Sequence, residues 1–360
     1  MSAVVEGLAQ LASPKNFGLG FSTLGKLLTV LLGVDCQELE HSVALRALKP
    51  PHVYRLEFVP GEAPWRSAVV KRFDSPVVAH RTRLAAERWL PALGLADGCA
   101  RLLGVAAEER SDVVWHVYED VGNETVAARR DPDRVAATVE LVASLHTRAV
   151  GHAILPDVRR YCPDFGIGFF TANLHDAIAA LEAVQTSGIK PSEAQAGVAG
   201  RLQSRLRGLL ADGDRRAAVF AEAAGPDTLL HGDLWTTNAV VVPTAAGLRA
   251  CLIDWDHVGV GPLAYDLSTL LFRFQLEERA GVLAAYRRAL ARVGWSLPSA
   301  AQLNLICETV ESARYANYLI WPALSLVRDQ LVRRFAELAE VERWFEALDA
   351  GQYDLRKLSC

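Results

Sequence analysis

The feature that most constrains this chain is a non-helical island, Thr228 to Asp256, set among segments with helical periodicity. It begins Leu229-Leu230-His231-Gly232-Asp233-Leu234-Trp235-Thr236-Thr237-Asn238 and closes on Ile253-Asp254-Trp255-Asp256. In between, Ala239–Val242 and Leu248–Ile253 flank the turn-rich stretch Pro243–Gly247, a pattern that predicts a hairpin inside a helical domain. A hairpin there returns the chain on itself and brings Asp254 back beside Asn238.

That arrangement suits phosphoryl transfer. An Asp on a loop can accept the proton of an attacking hydroxyl, an Asn a turn later can offer its carbonyl oxygen to Mg²⁺, and a second carboxylate completes the metal site. Such chemistry needs positioning and charge neutralisation more than covalent catalysis.

The chain changes character near residue 120. Upstream, Val53–Val59 and Ser67–Phe73 flank Pro60–Pro64, while Leu102–Ala107 and Val113–Val117 flank Glu108–Asp112. These predict two hairpins, with one helix, Val77 to Leu93, between them. Downstream, Asp131-Pro132 sets an N-cap followed by proline at the first helical position. Val135, Val139, Val142 and Leu145 then recur at helical spacing until Gly151. Further helices are expected at Asn173–Gln185, Ala194–Leu210, Leu263–Leu276, Ala280–Val293, Ala300–Ile320 and Leu326–Leu348. Leu27, Leu28, Val30, Leu31 and Leu32 predict one more near the start, docked on one lobe. The expected architecture is α+β: a helical extension over 1–37, a small antiparallel β-sheet lobe over 38–121, and a larger, mainly helical lobe over 122–360.

Composition removes several classes. With 51% hydrophobic residues the chain can bury a large core, and a net charge of −4 argues against a nucleic-acid partner. Leu24–Val34 is broken by Lys26 and too short to span a bilayer, so no membrane association is expected. Met1–Phe17 lacks the basic-then-apolar pattern of a secretory signal. The six cysteines form no close pairs, which fits a reducing cytoplasm rather than a zinc or disulfide framework. Oligomeric state is not readable from the sequence.

The ordered elements His231-Gly232-Asp233-Leu234, Asn238, Ile253-Asp254-Trp255, Gly261-Pro262 and Asp266-Leu267, with Leu145-His146 at a helix end, resemble the aminoglycoside phosphotransferase and choline kinase family. The resemblance runs from about Glu38 to Leu276. It implies a two-lobed protein-kinase-like fold and an ATP- and Mg²⁺-dependent phosphotransferase acting on a small-molecule hydroxyl. It also assigns roles: Asp233 as catalytic base, Asn238 and Asp254 as magnesium ligands. Lys71 matches the strand lysine that contacts the α- and β-phosphates, with Glu87 on the next helix as its partner. Tyr118-Glu119-Asp120-Val121 resembles the hinge, where the backbone of Glu119 and Val121 would meet adenine.

Gly232 stands where many regulated protein kinases carry Arg, and only a dozen residues separate Asp254 from Asp266. There is little room for an activation loop, so the expected acceptor is a small molecule: an aminoglycoside or macrolide, or a choline-, homoserine- or sugar-like metabolite. Glu308, Glu311, Tyr315 and Tyr318 fall nearly opposite the apolar stripe Leu303, Ile306, Val310, Ala313 and Ile320, which predicts a polar helix face. Trp255 and Asp256 are expected to shape the acceptor pocket.

One element departs from the family pattern. Ala44–His52, between the first two strands, contains no glycine, so either Arg46 and Lys49 supply charge to the nucleotide or the loop stands off it. That departure motivates an alternative, a catalytically weak pseudokinase or nucleotide-binding scaffold. A metal-dependent hydrolase built on His231, Asp233, Asp254, Asp256 and His257 is a further alternative, but it leaves Asn238 and Lys71 unexplained. Two look-alikes are set aside. Gly20–Lys26 approaches a Walker A string but continues with Leu27, and Asp164-Phe165-Gly166 precedes the catalytic loop instead of following it.

Overall fold

The computed structural model describes residues 4–6, 21–33, 43–49, 52–58, 66–107, 112–351 and 354–355. The turn at 60–64, most of the turn at 108–112, the boundary at 37/38, Cys36 and the tail with Cys360 lie outside the described residues. The chain divides into two compact units: residues 1–141 with 237–258, and residues 142–236 with 259–360.

The first unit is built on an antiparallel sheet in the order β1-β2-β3-β4-β6-β5. Its strands are β1 (Val4–Glu6), β2 (Val43–Lys49), β3 (Val53–Phe58), β4 (Ser67–Phe73), β5 (Leu102–Ala107) and β6 (Val114–Glu119). Alternation along β4 sends Ala68 and Val70 into the core and leaves Val69 and Lys71 on the other face. The core face is covered by α1 (Phe21–Leu32), whose Leu24 and Leu28 are buried with Leu56, Trp115 and Val117. Gly104 in β5 belongs to this contact, because a Cβ there would sit 2.9 Å from Leu27. The lobe that receives the N-terminal helix is therefore the sheet.

Helix α2 (Pro76–Leu84) starts at Ser75, whose hydroxyl accepts from the Val78 amide, and passes into a π-turn, Ala85–Trp89, that carries Glu87. The hairpin β8–β9 (Ala239–Thr244 and Gly247–Leu252) groups with this unit, although the sequence reading placed all of 122–360 in the helical lobe. Long-range ties account for the grouping. Isolated bridges join Cys99 to Leu252 and Thr125 to Val240, and the buried Arg134 donates to the Val241 carbonyl at 2.6 Å.

The second unit is mainly helical. Strand β7 (Asp227–Leu230) pairs antiparallel with β10 (Gly259–Pro262), and the helices include α4 (Leu155–Tyr161), α5 (Ile167–Thr186), α8 (Ala264–Leu271), α9 (Leu276–Ala291), α10 (Ala300–Asp329) and α11 (Phe335–Asp349). Helix α3 (Pro132–Ala149) starts in the first unit and ends in this one, and α6 (Glu193–Ala211) and α7 (Gly213–Ala223) complete the set. The helix expected at 263–276 ends at Leu271, and the one expected at 280–293 starts earlier, at Leu276, because Gln275 and Glu278 form a capping box there.

Helix α10 runs past Ile320 and past Pro322, and ends only where Gln330 turns left-handed at φ 53°. It packs against α5, α7, α8 and α11, so the expected polar face does not exist along most of its length. Of the four residues expected there, Glu311 and Tyr315 are buried, Glu308 is half-buried and Tyr318 is exposed. Glu311 is satisfied internally, by the Ser268 hydroxyl at 2.6 Å and by Arg314, whose other nitrogen donates to the Tyr265 carbonyl at 3.0 Å. Enclosure on several sides overrides the amphipathic pattern.

Candidate active site

In the first unit a cleft is lined by Lys71 from β4, by Tyr118–Gly122, and by Asn238 and Leu252–Asp256 of the hairpin segment. Lys71 sits in mid-sheet, opposite Val53 on one side and His116 on the other. Its ammonium reaches Asp256 Oδ1 at 2.6 Å and also pairs with Asp254. Burial alone would depress the lysine, but the two carboxylates outweigh it and hold Lys71 above its ordinary value. Burial pushes the Asp256 carboxyl up, and the charge of Lys71 offsets this only in part.

Asp254 adopts left-handed backbone at φ 68°, unusual for a residue with a side chain. A turn of 3₁₀ helix, Trp255–His257, follows at once, and the Trp255 indole donates to the Leu252 carbonyl at 3.0 Å. Arg81 of α2 donates to the backbone carbonyl of Asp256. Asn238 closes the start of the hairpin, its carbonyl accepting from the Ile253 amide at 2.9 Å. Strain at a residue held from several sides clusters at functional positions.

The expected partnership of Lys71 with Glu87 is not formed. Glu87 faces solvent and pairs with Arg83, one turn back on its own helix, at 2.7 Å. The partner that sequence reasoning missed is Asp256, which had been assigned to the acceptor pocket. Its signal was present as a second carboxylate two residues after Asp254, but nothing local says which way it points.

The hinge segment is tied down by its own polar atoms. The Glu119 amide donates to the Arg101 carbonyl at 2.9 Å, and the Arg101 amide donates back to the Glu119 carboxylate at 3.0 Å. Asp120 holds Arg55 through Oδ2 at 2.7 Å and Oδ1 at 3.0 Å, and also accepts from the Gly122 amide at 2.9 Å. This ion pair is not legible in the sequence, since Arg55 and Asp120 are 65 residues apart. Val121 and Glu119 line the cleft.

The second unit carries the segment with Asp233. Gly232 is left-handed at φ 82°, which favours glycine there. The fully buried Asp266 accepts from the amides of His231 at 2.7 Å and Gly232 at 2.9 Å, and faces His146 Nε2 at 3.3 Å. Burial alone would raise Asp266; the hydrogen bond and charge of His146, with the His231 contribution, outweigh it and hold the carboxyl below its usual range. His146 Nδ1 in turn meets the Tyr286 hydroxyl at 2.7 Å, and the His231 ring accepts from the Asp233 amide at 3.3 Å. His231 and Asp266 thus brace the loop.

The Asp164-Phe165-Gly166 triplet braces β10 instead. Phe165 stacks on Tyr265 with centroids 4.2 Å apart, and its amide donates to the Val260 carbonyl at 2.7 Å. Among the described residues, no three His, Cys, Asp or Glu side chains converge as a metal centre. No helix of the described residues is long and apolar enough to cross a membrane.

A small antiparallel sheet unit, a larger helical unit and a lysine–carboxylate cleft together define a protein-kinase-like phosphotransferase fold. The model of the phosphotransferase enzyme family APH matches residues 51–303, and the chain belongs to that family. No curated protein matches the chain. Among solved structures it is similar to the Plasmodium vivax ethanolamine kinase, at 12% identity and a TM-score of 0.59, over 93% of this chain and 92% of that one. It is also similar to a spectinomycin phosphotransferase in complex with ADP and spectinomycin, at 12% identity and a TM-score of 0.57, over 91% of this chain and 98% of that one.

Proposed function

We propose that the protein is an ATP- and Mg²⁺-dependent kinase that phosphorylates a hydroxyl of a small molecule. The observation that carries this reading is Lys71 in one cleft with Asp254, Asp256, Asn238 and the hinge segment. A lysine held between carboxylates at the back of a cleft whose other wall is a backbone hinge suits a nucleotide triphosphate. In this reading Lys71 orients the α- and β-phosphates, Glu119 and Val121 present backbone groups to the base, and Asn238 and Asp254 hold magnesium. The donor set fits that ion: hard oxygens, with one or two carboxylates, leaving the remaining positions to water and phosphate. Bound there, magnesium would supply charge neutralisation on the transferring phosphoryl group.

Asp233 would accept the proton of the acceptor hydroxyl, and Asp266 and His231 would keep its loop in place for that task. The separation of Asp254 from Asp266 by a strand and a single turn, rather than by a long loop, supports a small acceptor. Glu87, paired with Arg83, is left without a part in holding Lys71. A reducing cytoplasm suits the free thiols Cys99, Cys162, Cys251 and Cys307, and burial pushes Cys99 up to about 12, which makes it inert.

ADP release measured across aminoglycosides, macrolides, choline, ethanolamine, homoserine and simple sugars tests the reading. Acceptor-stimulated turnover with one class supports it and identifies the substrate. ATP binding with no stimulation by any class selects the scaffold alternative, which the glycine-free loop favours.

A further inference from the structure

A polyphosphate is usually cradled by backbone N–H groups of a glycine-rich turn. The sequence between β2 and β3 contains no glycine and offers few N–H groups for this. Of Lys49-Pro50-Pro51-His52, both prolines lack an N–H, and the His52 amide already donates to the Lys49 carbonyl at 2.9 Å. The His52 carbonyl is engaged as well, by the Arg72 amide at 2.7 Å. What the turn offers is side-chain charge. Lys49 and His52 line a second cleft together with Lys71, Asp254 and Asp256. Arg46, the other cation expected to serve, lines neither cleft.

We infer that Lys49 and His52, which line this cleft together with Lys71, bind the polyphosphate of the nucleotide through their side chains in place of a backbone cradle. The inference rests on the nucleotide reading above and adds to it the residues that hold the phosphates from the loop side. Three carboxylates, Asp74, Asp254 and Asp256, line the same cleft. Asp74 lies 3.6 Å from the His52 ring but is also engaged by Arg72 at 2.8 Å, and Lys49 is exposed. The exposed Lys49 ammonium acts as a point charge, so its contribution grows with the number of phosphates and fades with salt.

The test is calorimetric binding of ATP, ADP and adenosine to the full chain, each with Mg²⁺. Replacing both residues, Lys49→Ala with His52→Ala, is expected to weaken ATP about tenfold, equivalent to about 1.4 kcal/mol. Adenosine affinity should change less than twofold, and ADP should fall between the two. An unchanged ratio of ATP to adenosine affinity in the double variant overturns the inference, as does an equal loss for both ligands. Lys71→Met separates the two levels. If that variant loses ATP affinity while the loop variant keeps it, the loop assignment fails and the nucleotide reading stands. If the unaltered chain binds ATP no better than adenosine, both fall.

Discussion

Asp233 and His116 show how differently two polar residues of one fold are handled. Asp233 follows a glycine that turns left-handed and a histidine that accepts from its amide, so its backbone is fixed while its side chain is half-exposed. An amide in its place would keep the shape and lose the ability to take a proton. Asp233→Asn should therefore lower kcat by roughly 10²–10⁴-fold, with KM for ATP and the melting temperature near those of the parent. Steady-state kinetics beside a thermal melt check this, and near-parental turnover removes Asp233 from its role. His116 is buried on β6 next to Lys71, with Nδ1 2.8 Å from the Tyr118 hydroxyl. Burial first, then the charges of Lys71 and Arg83, lower its pKa to about 3. An unfolded chain protonates its histidine near 6.5, so between about pH 6.5 and pH 3 the unfolded state binds the extra proton and stability rises with pH. Acidification through that window should remove up to ~1.4 kcal/mol per pH unit from this one group. Urea midpoints across pH should show a shallower acid limb in His116→Phe than in the parent.

At the scale of elements, the informative contact is the one between β10 and the segment before α5. Gly259 has ordinary φ, so its reason is space and not backbone freedom: a Cβ would lie 2.3 Å from the Phe165 ring and 2.8 Å from the Pro163 carbonyl. Carbonyl oxygen cannot swing away as a flexible side chain can. Gly259→Ala should destabilise the chain by about 1–3 kcal/mol through overpacking, and the strand pairing with β7 should loosen. Denaturant titration checks the first effect, and hydrogen exchange at Thr228 and Gly261, which face each other in the ladder, checks the second. A variant as stable as the parent would mean that the Phe165 stack on Tyr265 does not hold this strand. The same element explains a miss: β7 and β10 are each four residues long and separated by a hairpin, so no period identifies them, and only their mutual pairing makes them strands.

Across the whole molecule, the residues assigned to the nucleotide and metal lie in the first unit and Asp233 in the second, the chain passing between units after Thr236. Ligand binding to the folded state alone adds RT ln(1 + [L]/Kd), about 2.7 kcal/mol at a hundredfold excess over Kd. ATP with Mg²⁺ should accordingly raise the melting temperature, and Asp254→Ala should abolish the magnesium-dependent part of that rise. An unaltered magnesium titration in the variant contradicts the assignment of Asp254. Family membership rests on residues 51–303, which include every position assigned a role except the charged turn's first residue, Lys49, and its neighbour Pro50.

What was legible beforehand is what depends on near neighbours in sequence. The hairpin of 239–252, the helix starting at Asp131-Pro132 and the spacing of Asp233, Asn238 and Asp254 all follow from turn chemistry, alternation and caps acting within a few residues. The partner of Lys71 was not of that kind. Asp254 and Asp256 reach it from 183 and 185 residues away, while Glu87, nearer in the chain, turns to Arg83. Likewise a pattern on α10 promised a polar face, and packing by four helices buried Glu311 and Tyr315 instead. Local preference selects which element forms. Which charge meets which, and which face stays dry, is settled only when distant segments compete for the same space, because desolvation and ion pairing depend on everything within a few ångströms and not on order along the chain.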